Sequence, residues 1–305
     1  MINRASLRWG FLAALILMVC ASCEKMVIDE VEQPSEQTGN ANLILRVSKS
    51  SFHPYDGETK AVVDMAEYCS RFNFVLYQEG KKVKAVTQLK EEAGDDFGQV
   101  AMTVNTGTYQ LMVLAHSSVN GNPVLSNPEE IQFTNQLGYS DTFYYYGTIE
   151  VTTDQTSHDI MLNRATTMVR FNFDEVFPDN MGEMVIDYQG ESGVLNVLTG
   201  RGGSTNSRQQ KKINFTSFAG QHKTYSLPIY TFMRENTGTL NITITAKSTD
   251  GEVIVQRSFK NVPIEHTKAT DFVGKFFEHE TEQAFSFRLE TDWEVSNTLN
   301  YSDEN

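Results

Sequence analysis

Residues Asn105 to Ala115 read NTGTYQLMVLA, and Asn236 to Ala246 read NTGTLNITITA. In both copies a turn precedes apolar residues at alternate positions. They are Tyr109, Leu111, Val113 and Ala115 in the first, and Leu240, Ile242, Ile244 and Ala246 in the second. Alternation with period two marks a strand that buries one face. The offset between positions 105 and 236 is 131, about one domain length. The chain is therefore expected to be all-β, with two related β-sandwich domains in tandem.

Reading outward from these copies, the same alternation recurs. Leu43, Leu45 and Val47 form an early strand. Arg71 to Tyr77 turns at Glu79-Gly80 into Lys82 to Leu89, and Val100, Met102 and Val104 share a face. A short turn is expected near Val63 to Tyr68, and a long loop holds Asn120-Gly121, Pro123 and Pro128. Phe143 to Thr152 and His158 to Leu162 are strand-like. The second half repeats the plan. Val169, Phe171 and Phe173 alternate, and Met184 to Tyr188 is expected to turn through Gly190 to Gly193 into Val194 to Leu198. Gly200 to Lys212, glycine-rich and basic, reads as a mobile loop. Thr224 to Phe232 continues as strand, and Asp250-Gly251 turns a hairpin into Glu252 to Phe259.

The boundary is expected within Asn163 to Thr167, giving domains 42–164 and 165–296 and a polar tail 297–305. No proline or glycine linker lies there, so the pair should be stiff. Phe285, Phe287, Leu289, Trp293 and Val295 share one parity near the end. Such a strand must be half buried, either docked on its own second domain or added to a partner subunit as a partner-binding strand.

The start of the chain sets its compartment. Arg4 and Arg8 precede an uncharged run from Trp9 to Cys23, too short to span a bilayer, which needs about 20 apolar residues. It suits a secretory signal over residues 1–22. Ala21 and Ser22 are small and Cys23 follows, as in the bacterial lipoprotein box, where the cysteine is acylated and becomes the first mature residue. A plain signal peptide cut near Ala21 is the rival reading. Residues 23–41, acidic and without periodicity, read as a flexible tether.

Loss of the signal leaves 283 of the 305 residues and takes the formal charge from −14 to −16. A chain this acidic repels phosphate backbones, which argues against nucleic-acid partners. Of three cysteines, Cys20 leaves with the signal and Cys23 is acylated, so Cys69 remains and no internal disulfide is expected. Cys69 reads as a small buried hydrophobe.

The residues for catalysis are missing. The six histidines are scattered without metal-ligand spacing. Glu278-His279-Glu280 comes nearest, but neighbours on a strand point to opposite faces. Gly190-Glu191-Ser192-Gly193 lacks the spacing of a nucleophile elbow. No enzyme, cofactor or metal site is expected. Phe143-Tyr144-Tyr145-Tyr146 is a candidate sugar-stacking platform, although alternate rings should pack inward.

The lipoprotein box, the tether, the early strand LILRV, the strands GTYQLMVLAHS and FYYYGTIEV, and the junction HDIMLNRATTMVRFNFD together resemble the FimB-type fimbrial anchor lipoproteins of Bacteroidetes. The resemblance spans about Ala41 to Phe277. It implies two tandem transthyretin-like β-sandwiches, acylation at Cys23, residence in the outer membrane at the base of a fimbrium, and fimbrial subunits as partners. It also implies that the protein holds the filament and can limit its length. The resemblance further implies kinship with the fimbrillins, whose shaft and tip subunits lose their first strand by proteolysis. A cut at Thr59-Lys60-Ala61 would make this chain a shaft or tip subunit instead. A surface glycan-binding lipoprotein is the rival from another class.

Overall fold

The computed structural model describes residues 41–47, 49–52, 61–119, 121–134, 138–203, 208–277, 285–290 and 298–301, all within the compact unit Glu32–Asn305. The first half contains β1 (Leu43–Arg46), β2 (Arg71–Gln78), β3 (Lys81–Leu89), β4 (Gln99–Met102), β5 (Gly107–His116), β6 (Phe143–Val151) and β7 (Thr156–Asp159). One sheet runs β7-β1-β4, and the facing sheet runs β6-β5-β2-β3.

The second half contains β8 (Thr166–Val176), β9 (Met181–Gln189), β10 (Gln209–Asn214), β11 (His222–Phe232), β12 (Thr237–Ser248), β13 (Val253–Glu265) and β14 (Ala269–Gly274). Its sheets run β14-β8-β11 and β13-β12-β9-β10. Each strand of the second half takes the place of the strand seven earlier. Even the parallel pairing recurs, of β1 with β7 and of β8 with β14. The fold is two tandem all-β sandwiches of one topology, and the repeated NTGT strands, β5 and β12, are central strands in both. Beyond β14 the sheet continues with β15 (Phe285–Glu290) and β16 (Thr298–Tyr301).

The alternation read from the sequence sorts the side chains as sheet geometry requires. Leu43, Leu45, Phe72, Phe74, Leu111 and Val113 fill the first core. Phe171, Phe173, Ile186, Ile242, Ile244 and Phe272 fill the second. Fully burying a side chain of this kind contributes about 1.5–3 kcal/mol. The turn at Glu79-Gly80 has φ values of 51° and 76°, the positive pair that a tight hairpin of type I′ requires.

A third core joins the halves. Val75 and Tyr77 of β2 and Met112 and Leu114 of β5 face away from the first core. They meet Leu125, Ile131 and Phe133 of the following loop, together with Leu195, Val197 and Phe232 from the second half. At the junction, Arg164 Nη2 lies 2.8 Å from Asp141 Oδ2, and Thr166 Oγ1 donates to Asp141 Oδ1 at 2.7 Å. Arg164 also lies over the Phe143 ring. The connection between the sandwiches is thus pinned by a largely buried ion pair.

Two expectations are corrected. Val194–Asn196 does not fold back on β9 as a hairpin. It pairs with Ile131–Gln132 of the first half and with Arg201–Gly202, because the chain is drawn from β9 towards the seam, where Leu195 and Val197 are buried. Nor is Gly200 to Lys212 a loop throughout. Gln209–Asn214 is the edge strand β10, paired with β9 from Glu183↔Asn214 to Tyr188↔Gln209. Its glutamines and lysines have weak strand preference, and tertiary pairing overrides it.

Candidate functional site: a seated first strand and a capped far edge

β1 is held along both sides and at both ends. It pairs parallel with β7 and antiparallel with β4, and Leu43 and Leu45 are 0% exposed. At its start, the Asn42 side-chain amide donates to the Val104 carbonyl at 2.9 Å and the Thr152 carbonyl at 3.1 Å. Its Oδ1 accepts the Val104 N–H at 3.0 Å. Gln155 Nε2 donates to the Ala41 carbonyl. At the far end the Val47 N–H donates to Gly98 O and the Ile160 N–H to Arg46 O, both at 2.7 Å. Gly98 has φ +93°, and a Cβ there would stand 2.6 Å from the Val47 carbonyl oxygen. A side chain at 98 would push the strand end out of its seat.

The opposite sandwich is capped where the chain leaves β14. Glu175, 2% exposed, accepts the N–H groups of Phe276 at 2.7 Å and Phe277 at 2.9 Å. Arg257 Nε donates to the Phe276 carbonyl at 2.9 Å. A buried carboxylate and a buried guanidinium thus grip one peptide from either side, the way buried charges are normally satisfied. Beyond them β15 pairs antiparallel with β14, from Ala269↔Glu290 to Gly274↔Phe285. Phe285, Phe287 and Leu289 lie on β15, on this chain's own second sandwich. Trp293 and Val295 lie outside the described residues.

Cys23, Thr59, Lys60 and Glu278-His279-Glu280 also lie outside them, and Ala61 opens the short strand Ala61–Asp64. Cys69 is buried, its Sγ 3.2 Å from the Met65 carbonyl oxygen, and burial pushes its thiol up to about 12, where no reactive thiolate forms at neutral pH. No group of three metal-ligating side chains occurs among the described residues, and no helix among them is long and apolar enough to cross a membrane.

The tyrosine run does not form a flat platform. Phe143 and Tyr145 pack on the first core, while Tyr144 and Tyr146 pack on the seam. Tyr144 reaches Gly200 so closely that a Cβ there would collide with its hydroxyl.

Asn42, Gly98, Glu175 and Arg257 were not singled out from the sequence. Glu175 carried a signal all the same: it falls on the inward parity of Val169, Phe171 and Phe173. Arg257 likewise follows Val255 and precedes Phe259 on the inward parity of β13. A charge on a core-facing position implies a buried partner.

The model of a family of unknown function, DUF6562, matches residues 33–302. The chain belongs to this family. No curated protein matches the sequence. Among solved structures, this DUF6562 chain is similar to a candidate polysaccharide-binding protein (DUF1812) from Bacteroides thetaiotaomicron. The identity is 11% and the TM-score 0.50, over 87% of this chain and 99% of the other. That likeness shows the shared fold. Also similar are a fimbrial assembly protein from Parabacteroides distasonis, at 11% identity and TM-score 0.42 over 84% and 97% of the two chains, and the fimbrial anchor protein of Porphyromonas gingivalis, at 10% and 0.40 over 76% and 88%.

Proposed function

We propose that the chain is a non-enzymatic surface lipoprotein of fimbrial type, which holds a filament to the outer membrane through an acylated Cys23. It starts or ends the polymer and does not extend it. The seat of β1 carries the reading. A strand buried through Leu43 and Leu45 and paired on both sides occupies the groove that an incoming strand would need. Cys23 is joined to that strand by a short tether, so a cut that opened the groove would also sever the anchor. Acyl chains contribute about 0.8 kcal/mol per buried methylene, and several chains make such an anchor effectively permanent. The quoted lipoprotein box and junction support the same role, with fimbrial subunits as partners.

The test is made in the cell that displays the filament. Mass spectrometry of the mature protein should find a first residue at an acylated Cys23, and Cys23→Ala should shed filaments into the medium. A mature protein beginning at Ala61, or filaments retained by the Cys23→Ala strain, would overturn the anchor role.

A further inference from the structure

The two copies of the repeat differ where their strands face away from the cores. By the alignment of NTGTYQLMVLA with NTGTLNITITA, Met112 and Leu114 of β5 correspond to Thr243 and Thr245 of β12. Met112 and Leu114 are 0% exposed and lie in the seam. In the second sandwich the equivalent sheet face is polar and open. It forms a concavity of about 650 Å³ lined by Asp187, Arg208, Thr243, Thr245, Gln256, Ser258 and Lys260 among others.

We propose that this concave face of the β13-β12-β9-β10 sheet binds a carboxylate-bearing oligosaccharide, independently of how the chain is held at the surface. Its floor is a grid of small hydroxyls and amides. Thr243 stands opposite Ser258 with their oxygens 3.1 Å apart, and Thr245 stands opposite Gln256. Strands about 4.8 Å apart therefore present rows of hydrogen-bonding groups, which suits a chain of sugar hydroxyls. The two rings in the lining, Tyr188 and Phe259, are buried in the core. Among the described residues, the contacts this face offers a ligand are therefore polar.

Charge selects among polar ligands. Over the whole chain 39 carboxylates outnumber 25 cations, yet the concavity is lined by Arg208 and Lys260 against Asp187. Asp187 is held 3.0 Å from Arg208, and outside the lining Glu183 lies 3.6 Å from Lys247. The excess of cations is local. It favours an anionic sugar, while the charge of the rest of the molecule disfavours a long polyphosphate.

The experiment is calorimetric titration of the full chain with a galacturonate hexamer, with cellohexaose as the uncharged control. Saturable binding of the galacturonate is expected, with the control about tenfold or more weaker, a difference of about 1.4 kcal/mol. Arg208→Gln combined with Lys260→Gln should reduce the difference between the two sugars. Thr243→Tyr, which fills the concavity, should abolish binding of both. Unchanged thermal melting shows that the variants fold. Absence of saturable binding, equal binding of the two sugars, or binding that these variants leave unaltered would overturn the proposal.

Discussion

The rings of Phe133 and Phe232 lie 5.4 Å apart between centroids, one from the loop that follows β5 and one from the last position of β11. Tyr139 closes over the same Phe232 ring at 5.5 Å. This aromatic contact makes the seam a packed core shared by both sandwiches. Phe232→Ala is expected to cost about 3–5 kcal/mol of stability. It should also uncouple the halves, so that one unfolding transition in urea becomes two. A single transition with an unmoved midpoint would show that the seam does not couple them.

The Asp141–Arg164 pair at the junction gives a second expectation. Asp141→Ala leaves a guanidinium whose side chain is 3% exposed without its carboxylate, and removing one partner of a buried pair costs about 3–5 kcal/mol. Replacing both, Asp141→Leu with Arg164→Met, should recover much of that loss. Thermal melts of the two single variants and the double variant complete the cycle.

His116 sets a pH dependence. It is fully buried at the end of β5. Its Nδ1 accepts the Ser118 N–H, so Nε2 carries the proton and donates to Asn73 Oδ1 at 3.0 Å. Burial, aided by the nearby Arg71 charge, lowers its pKa from 6.5 to about 3. Between those values the unfolded chain takes up a proton that the folded chain refuses. Stability is therefore full above about pH 6.5 and falls as pH drops towards 3. Melting temperatures from pH 7 to pH 4 should show a shallower decline in His116→Gln than in the parent. Parallel curves would remove His116 from the account.

The seat of β1 can be weakened in two independent ways. Leu45→Ala creates a cavity in the first core and should cost about 2–5 kcal/mol. Gly98→Ala places a methyl group against the Val47 carbonyl and strains a backbone at φ +93°. It should expose the strand end and hasten hydrogen exchange at Val47 and Ile160, whose N–H groups bond to Gly98 and Arg46. Unchanged exchange in Gly98→Ala would mean that this contact does not hold the strand.

Much of the fold was legible because alternation is a local property. The residues that line each core stood out by parity, and the two NTGT copies already declared equivalent strands. QLMVLA is apolar on both faces, whereas NITITA alternates, but the segments that cover Met112 and Leu114 lie elsewhere in the chain. The capping pair was half visible, as charges on inward positions of β8 and β13. Their meeting at the Phe276 peptide was not, since Glu175 and Phe276 lie 101 positions apart.

The sequence alone determined most of the strands, the inward face of each and that the plan occurs twice, because each of these follows from the period of neighbouring side chains. Tertiary structure decided that Val194–Asn196 crosses to pair with Ile131–Gln132, that the weakly strand-forming Gln209–Asn214 becomes an edge strand, and that the outer face of one sandwich is sealed while the other lies open. Those outcomes depend on pairings between distant segments. Their free energy comes from shared burial and ladder bonds, set against loop closure, and no short window of residues contains it.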